Sequence, residues 1–154
     1  MTDTAAPLSV GTLFYLWGDR IVDASGALSG DSDLYSSEWH GGAFGPAALV
    51  PGVNSAAADG QPYIRDDALE LFFYSNRPGA EGNDIYVATR ASAHAPWSAP
   101  QNLGPNVNSA AAETRPSLST DGTTLYFGST RVVGGEGAND VYVSTRQRLT
   151  GKSH

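Results

Sequence analysis

The 154-residue sequence contains no cysteine. It therefore builds neither a disulfide framework nor a thiolate-held structural zinc site, and its stability must come from packing. It has no apolar run of membrane-spanning length, and residues 1–10, MTDTAAPLSV, lack the basic start and apolar stretch of a signal peptide. The chain reads as soluble and cytoplasmic, with no membrane partner. Basic residues are scarce, nine against sixteen acidic ones, for a formal charge of −7. That balance disfavours phosphate backbones, so nucleic acid is not an expected partner, and it favours cations or basic groups. Nucleophile signatures are also missing: there is no GxSxG elbow, no HExxH and no P-loop. Covalent serine or thiol catalysis is not expected.

Sustained helical periodicity is absent too. What the chain has instead is eighteen Gly, nine Pro and aromatics in short runs, the composition of many short strands joined by tight turns. It also repeats itself. VNSAAADGQP (53–62) returns 54 residues later as VNSAAAETRP (107–116), and PYIRDDALELFFYSNR (62–77) lies without gaps over PSLSTDGTTLYFGSTR (116–131). A glycine-rich turn and a second apolar run follow each, PGAEGNDIYVATR and VVGGEGANDVYVSTR, which brings Asp84 and Asp140 to one place. A third, worn copy precedes them. TLFYLWGDR (12–20) stands for TLYFGSTR, SDLYSSEW (32–39) stands for NDIYVATR, and Asp33 aligns with Asp84.

Each full unit reads as four short strands: an inner one starting at the proline, then LFFYS or LYFGS, then DIYVATR or DVYVSTR, then WSAPQNL. Asp121-Gly122 is a strong hairpin signal, whereas Asp67-Ala68 in the same place is a weaker one. Four strands per repeat is the plan of a propeller blade. The expected fold is all-β, with three four-stranded blades at about 5–50, 59–103 and 113–146 and a tail at 147–154. PSLSTDGTTLYFGSTR, GGEGANDVYVSTR and WSAPQNLGPNVNS resemble the TolB-type β-propeller repeat over about residues 12–146. The first copy departs from that pattern: its inner strand shrinks to PLSVG (7–11) and its turn becomes IVDASGALSGD (21–31).

Three blades do not close a ring, because propellers typically need four to eight. A homodimer with six blades is the simplest completion. A piece of a longer propeller is the alternative, and residues 1–10 are a candidate closure strand.

Within the repeated phrase, Asp59 and Glu113 are the matching charges, each three residues before the proline. Gathered by a dimer around one axis, such carboxylates repel unless a cation bridges them. Hard oxygen ligands suit a divalent cation, calcium first, with Asn54 and Asn108 adding amide oxygens. The competing reading is that both acids cap turns or pair with Arg65 and Arg115. Asp33, Asp84 and Asp140 are read as turn acceptors, and Arg20, Arg77 and Arg131 as scaffold that ties strands together. Residues that break the repeat carry functional weight: Trp17, Asp19, Asp31, Glu38, Trp39, His40, Tyr63 and Arg65. Of these, His40 is the candidate general base, and Tyr63 with Arg65 are the candidate substrate contacts.

Two functions remain. The first is a metal-dependent hydrolase of lactones, esters or phosphotriesters with its site in the channel. It rests on the acidic axis and on similarity of architecture to six-bladed calcium-dependent hydrolases of the paraoxonase and gluconolactonase kind. The second is what the TolB-type resemblance implies: a non-catalytic module that binds a peptide, glycan or protein, with Trp17, Trp39 and Tyr63 as anchors.

Overall fold

The computed structural model describes residues 13–21, 28–133 and 135–147; within 13–21, 28–31 and 39–40 it describes the strands and not the side chains. The described residues contain eleven strands and no helix. They form three small antiparallel sheets laid out in chain order. The first holds β1 (Leu13–Ile21), β2 (Leu28–His40), β3 (Ala43–Phe44) and β4 (Ala48–Leu49), with β3 and β4 both paired to β2. The second is a meander of β5 (Asp59–Ile64), β6 (Glu70–Ser75), β7 (Asp84–Thr89) and β8 (Gln101–Asn102). The third is β9 (Glu113–Leu118), β10 (Thr124–Ser129) and β11 (Asp140–Thr145).

Register repeats as faithfully as sequence does. Ser75 faces Asp84, Phe73 faces Tyr86 and Leu71 faces Ala88; Ser129 faces Asp140, Phe127 faces Tyr142 and Leu125 faces Ser144. In the first sheet the same rungs are Gly18 with Asp33, Leu16 with Tyr35 and Phe14 with Ser37. The worn copy is thus a copy in its pairing as well.

Tight turns set these registers. At β9–β10 the Gly122 N–H donates to the Ser119 carbonyl at 2.8 Å, with Gly122 at φ 74°. Ala68 makes the same turn at β5–β6, donating to the Arg65 carbonyl at 2.7 Å with φ 60°. A side chain in the left-handed region is strained, yet the hairpin forms as it does where glycine is present.

Three expectations shift in detail, the first being that among the described residues the third sheet has three strands where four were expected. The inner strands begin at Asp59 and Glu113 rather than at the prolines, because these acids pair with Ser75 and Ser129. The loop expected at 21–31 is shortened from both ends, since Ile21 pairs with Leu28. Residues 1–12, including PLSVG and the candidate closure strand, and 148–154 of the tail lie outside the described residues.

The apolar core lies between consecutive sheets. Leu34, Val50 and Val53 pack with Leu71, Phe73, Tyr86 and Ala88 between the first and second. Phe72, Ile85 and Val107 pack with Leu118, Leu125 and Phe127 between the second and third. Alternation sends neighbouring residues of β6 to opposite faces, so Phe72 and Phe73 serve different cores. Each such side chain contributes about 1.5–3 kcal/mol by burial. The second sheet is therefore covered on both faces. The third is covered on one.

Candidate functional site

The repeated phrase connects the last short strand of one sheet to the first strand of the next, and its residues act in order. Asn54 works as a strand end in miniature: its Oδ1 accepts the Leu34 N–H at 2.7 Å, and its Nδ2 donates to the Leu34 carbonyl at 2.9 Å. Asn108 grips Ile85 in the same way, at 2.7 and 2.9 Å. Both asparagines use one amide to satisfy two backbone groups of the preceding sheet.

Next in the phrase come Ser55 and Ser109, which hold the acids. Asp59 Oδ2 accepts the Ser55 N–H at 2.6 Å and the Ser55 hydroxyl at 2.9 Å, while Oδ1 accepts Arg77 Nη2 at 2.7 Å. Glu113 accepts the Ser109 N–H at 2.9 Å, the Ser109 and Ser129 hydroxyls at 2.7 Å each, and Arg131 Nη2 at 2.9 Å. Both acids are 0 % exposed. Buried carboxylates demand such partners, since an unpaired charge there is very costly. Each arginine also donates to the carbonyl of Val53 or Val107 and to the hydroxyl of Ser75 or Ser129. Its guanidinium carbon stands 4.8–5.5 Å from the centroids of two rings, Phe73 and Tyr86 or Phe127 and Tyr142. The result is one bolt per junction, built from phrase, acid, serine and arginine.

The acids' partners are therefore Arg77 and Arg131, not the Arg65 and Arg115 of the competing expectation. Among the described residues no three His, Asp or Glu side chains come together as a metal-holding group. Around the acids stand an arginine and two serine donors at Asp59, and an arginine and three serine donors at Glu113.

Tyr63 and Arg65 stand at the junction of the second and third sheets. The Tyr63 hydroxyl donates to the Leu118 carbonyl at 3.0 Å, and burial pushes its pKa up. Arg65 binds Glu70 at 2.9 Å and Asp67 at 3.0 Å. Glu70 in turn receives both terminal nitrogens of Arg146, at 2.7 and 2.6 Å. These donors, Arg146 foremost, hold the Glu70 carboxyl below its ordinary pKa, and Glu70 raises both arginines in return. Sequence inspection missed this cluster, because Glu70 and Arg146 are 76 residues apart and neither has a counterpart pair in the other copies. The link of Asp59 to Arg77 had a signal: the 18-residue interval recurs between Glu113 and Arg131.

His40 ends β2 and pairs with Ala43 across a two-residue Gly41-Gly42 turn. Its side chain lies outside the described ones, as do those of Trp17, Asp19, Asp31 and Trp39. Glu38 is exposed on β2. Among the expected turn acceptors, Asp140 Oδ2 takes the N–H groups of Glu136 and Gly137 at 3.0 Å each. Asp84 differs. Its Oδ2 accepts Asn102 Nδ2 at 2.7 Å, but its buried Oδ1 has no donor, beside a cavity of about 210 Å³ shared with Glu81 and Asn108.

Gln61 and Arg115 occupy matching places on β5 and β9, and both carry positive φ, 51° and 52°. Gln61 Oε1 accepts the Arg115 N–H at 2.9 Å, and the Arg115 side chain is exposed. Strain repeated at one position of the first strand in two sheets marks a place to look for function.

No family model matches the chain, and no curated protein matches it.

Proposed function

We propose that the three sheets are successive blades of a propeller and that the molecule is a non-catalytic module for binding a peptide, glycan or protein. One observation carries this reading: among the described side chains, the candidate metal ligands Asp59, Glu113, Asn54 and Asn108 are engaged in holding sheet to sheet. Asp59, Glu113, Asn54, Asn108 and Tyr63 spend polar atoms at junctions, and Arg65 pairs with Asp67 and Glu70 of its own hairpin. The repeated junction, with its phrase, its bolt and its packed rings, supports the blade reading. In such a ring β5 and β9 lie innermost, so Gln61 and the exposed Arg115 sit at the rim of the channel. A guanidinium beside amide groups there fits a carboxylate of a peptide or an acidic glycan.

The second reading is a hydrolase that uses a cation, and the donor-free Oδ1 of Asp84 is the observation in its favour. Thermal melting with and without chelator separates the two, because a ligand of the native state raises stability by mass action. The binding module melts at the same temperature in EDTA and in calcium, and turns over no chromogenic lactone, ester or phosphotriester. A melting temperature that falls in EDTA and recovers in calcium, together with turnover, would replace it with the hydrolase.

A further inference from the structure

The third sheet presents the face that the other two bury. Its register matches that of the second sheet rung by rung, so Tyr126, Val141 and Val143 stand where the second sheet has Phe72, Ile85 and Val87. Ile85 and Phe72 are 0 % and 3 % exposed; Val141 and Tyr126 are 77 % and 43 % exposed, and Val143 is exposed as well. Val132 and Val133 are exposed at the start of the β10–β11 turn. Contiguous apolar exposure of this kind marks an interaction surface. Backbone polarity says the same. Asn54 grips Leu34 and Asn108 grips Ile85, and Val141 holds their register, facing Gly128 as Ile85 faces Tyr74 and Leu34 faces Trp17. No asparagine side chain meets it among the described residues. Among the described residues β11 likewise has no fourth strand beside it, where β7 has β8 and β2 has β4.

The internal junctions specify what covers such a face. In each, the covering sheet brings a large apolar residue, then two rungs on an aromatic one opposite a tyrosine: Leu71 and Phe73 with Tyr86, Leu125 and Phe127 with Tyr142. At the other end of the described chain, β1 carries Phe14 and Leu16 on those same rungs, with Leu16 opposite Tyr35. No sheet precedes β1 among the described residues. The open face and an apolar pair on the rungs that cover such faces, with Leu16 in place of the aromatic residue, are thus both carried by this one chain, at opposite ends of the row of sheets.

We infer that the third sheet docks against the first sheet of a second copy, head to tail, in the register of the internal junctions, and that two copies close into one ring through two identical contacts. This deepens the propeller reading above and rests on it.

Light scattering coupled to size exclusion is expected to give the mass of two chains at micromolar concentration. Val141→Asp is expected to raise the dissociation constant roughly tenfold to a hundredfold, the range of a central interface substitution, with an unchanged near-ultraviolet spectrum. Because the chain lacks cysteine, disulfide trapping is clean and decides the matter should that variant misfold. Phe72 and Leu125 share a core across an internal junction, and Tyr126 and Phe14 are their counterparts. A mixture of Tyr126→Cys and Phe14→Cys chains is expected to cross-link on oxidation, while neither variant cross-links alone. A monomeric wild-type chain overturns the inference, and so does a Tyr126→Cys chain that couples to itself as well as to its mate. A monomer whose melting ignores chelator would leave the binding-module reading intact, whereas chelator-sensitive melting of a dimer would overturn only that reading.

Discussion

At the scale of single residues, the molecule is organised by charges that are paired where water cannot reach them. Asp59 with Arg77 and Glu113 with Arg131 are the clearest cases, since both acids are wholly buried. Truncating one partner leaves the other charge without compensation. Asp59→Ala is expected to cost about 3–5 kcal/mol in urea unfolding. Adding Arg77→Ala to it should cost much less than the two single changes summed, because the second change removes a charge already stranded. Additive losses would show that the pair is not the unit described here. Glu70 gives a pH signature. Arg146 and Arg65 depress its pKa in the folded protein, so its contribution to stability is present above the unfolded carboxyl value of about 4.3 and fades as pH falls through the lower folded value. Glu70→Gln should therefore lower the urea midpoint at pH 7, with the gap to wild type closing as acid titrates the carboxylate. A gap that persists unchanged at low pH would mean that shape, not charge, holds the cluster.

At the scale of elements, the two hairpins β5–β6 and β9–β10 are a natural substitution experiment. Both turn through a residue of positive φ, alanine in one and glycine in the other. Ala68→Gly is expected to stabilise the protein by about 0.5–1 kcal/mol and Gly122→Ala to destabilise it by a similar amount, since only glycine takes that conformation without steric strain. Opposite signs in thermal melts check the assignment. Close approach between elements constrains a different glycine. A Cβ on Gly82 would stand 2.4 Å from the Ala111 carbonyl oxygen in the second repeated phrase. Gly82→Ala must then push the β6–β7 turn away from that phrase, and it is expected to lower the melting temperature more than Gly79→Ala, where a Cβ meets nothing within 4 Å and the cost comes only from the positive φ of 100° that Gly79 has and Gly82 lacks.

At the scale of the whole molecule, a row of sheets joined by repeated junctions behaves as a one-dimensional array, in which each unit depends on its neighbours. The second sheet has two neighbours and the third has one among the described residues. A ring formed by two chains predicts that melting temperature rises with protein concentration, because association is linked to folding by mass action. Differential scanning across a hundredfold concentration range checks this, and a concentration-independent midpoint with monomeric mass would remove the ring.

The all-β class and the hairpin at Asp121-Gly122 were legible in the chain, because strand alternation and turn chemistry are local properties that need no partner to be read. Even the worn first copy keeps the rungs that its alignment implied. The pairing of Asp59 and Glu113 with arginine was legible only as a recurring 18-residue interval, not as a contact. Whether an acid faces a channel or a buried arginine depends on which side of a strand it falls and on what the neighbouring sheet brings to it, and Arg77 reaches Asp59 only once β5 and β6 are in register. The same holds for Glu70 and Arg146, which meet across two sheets. Sequence thus determined which strands form and in what order. Tertiary structure decided which polar atoms are consumed in joining them and which apolar face is left open, because burial and pairing are properties of neighbours in space.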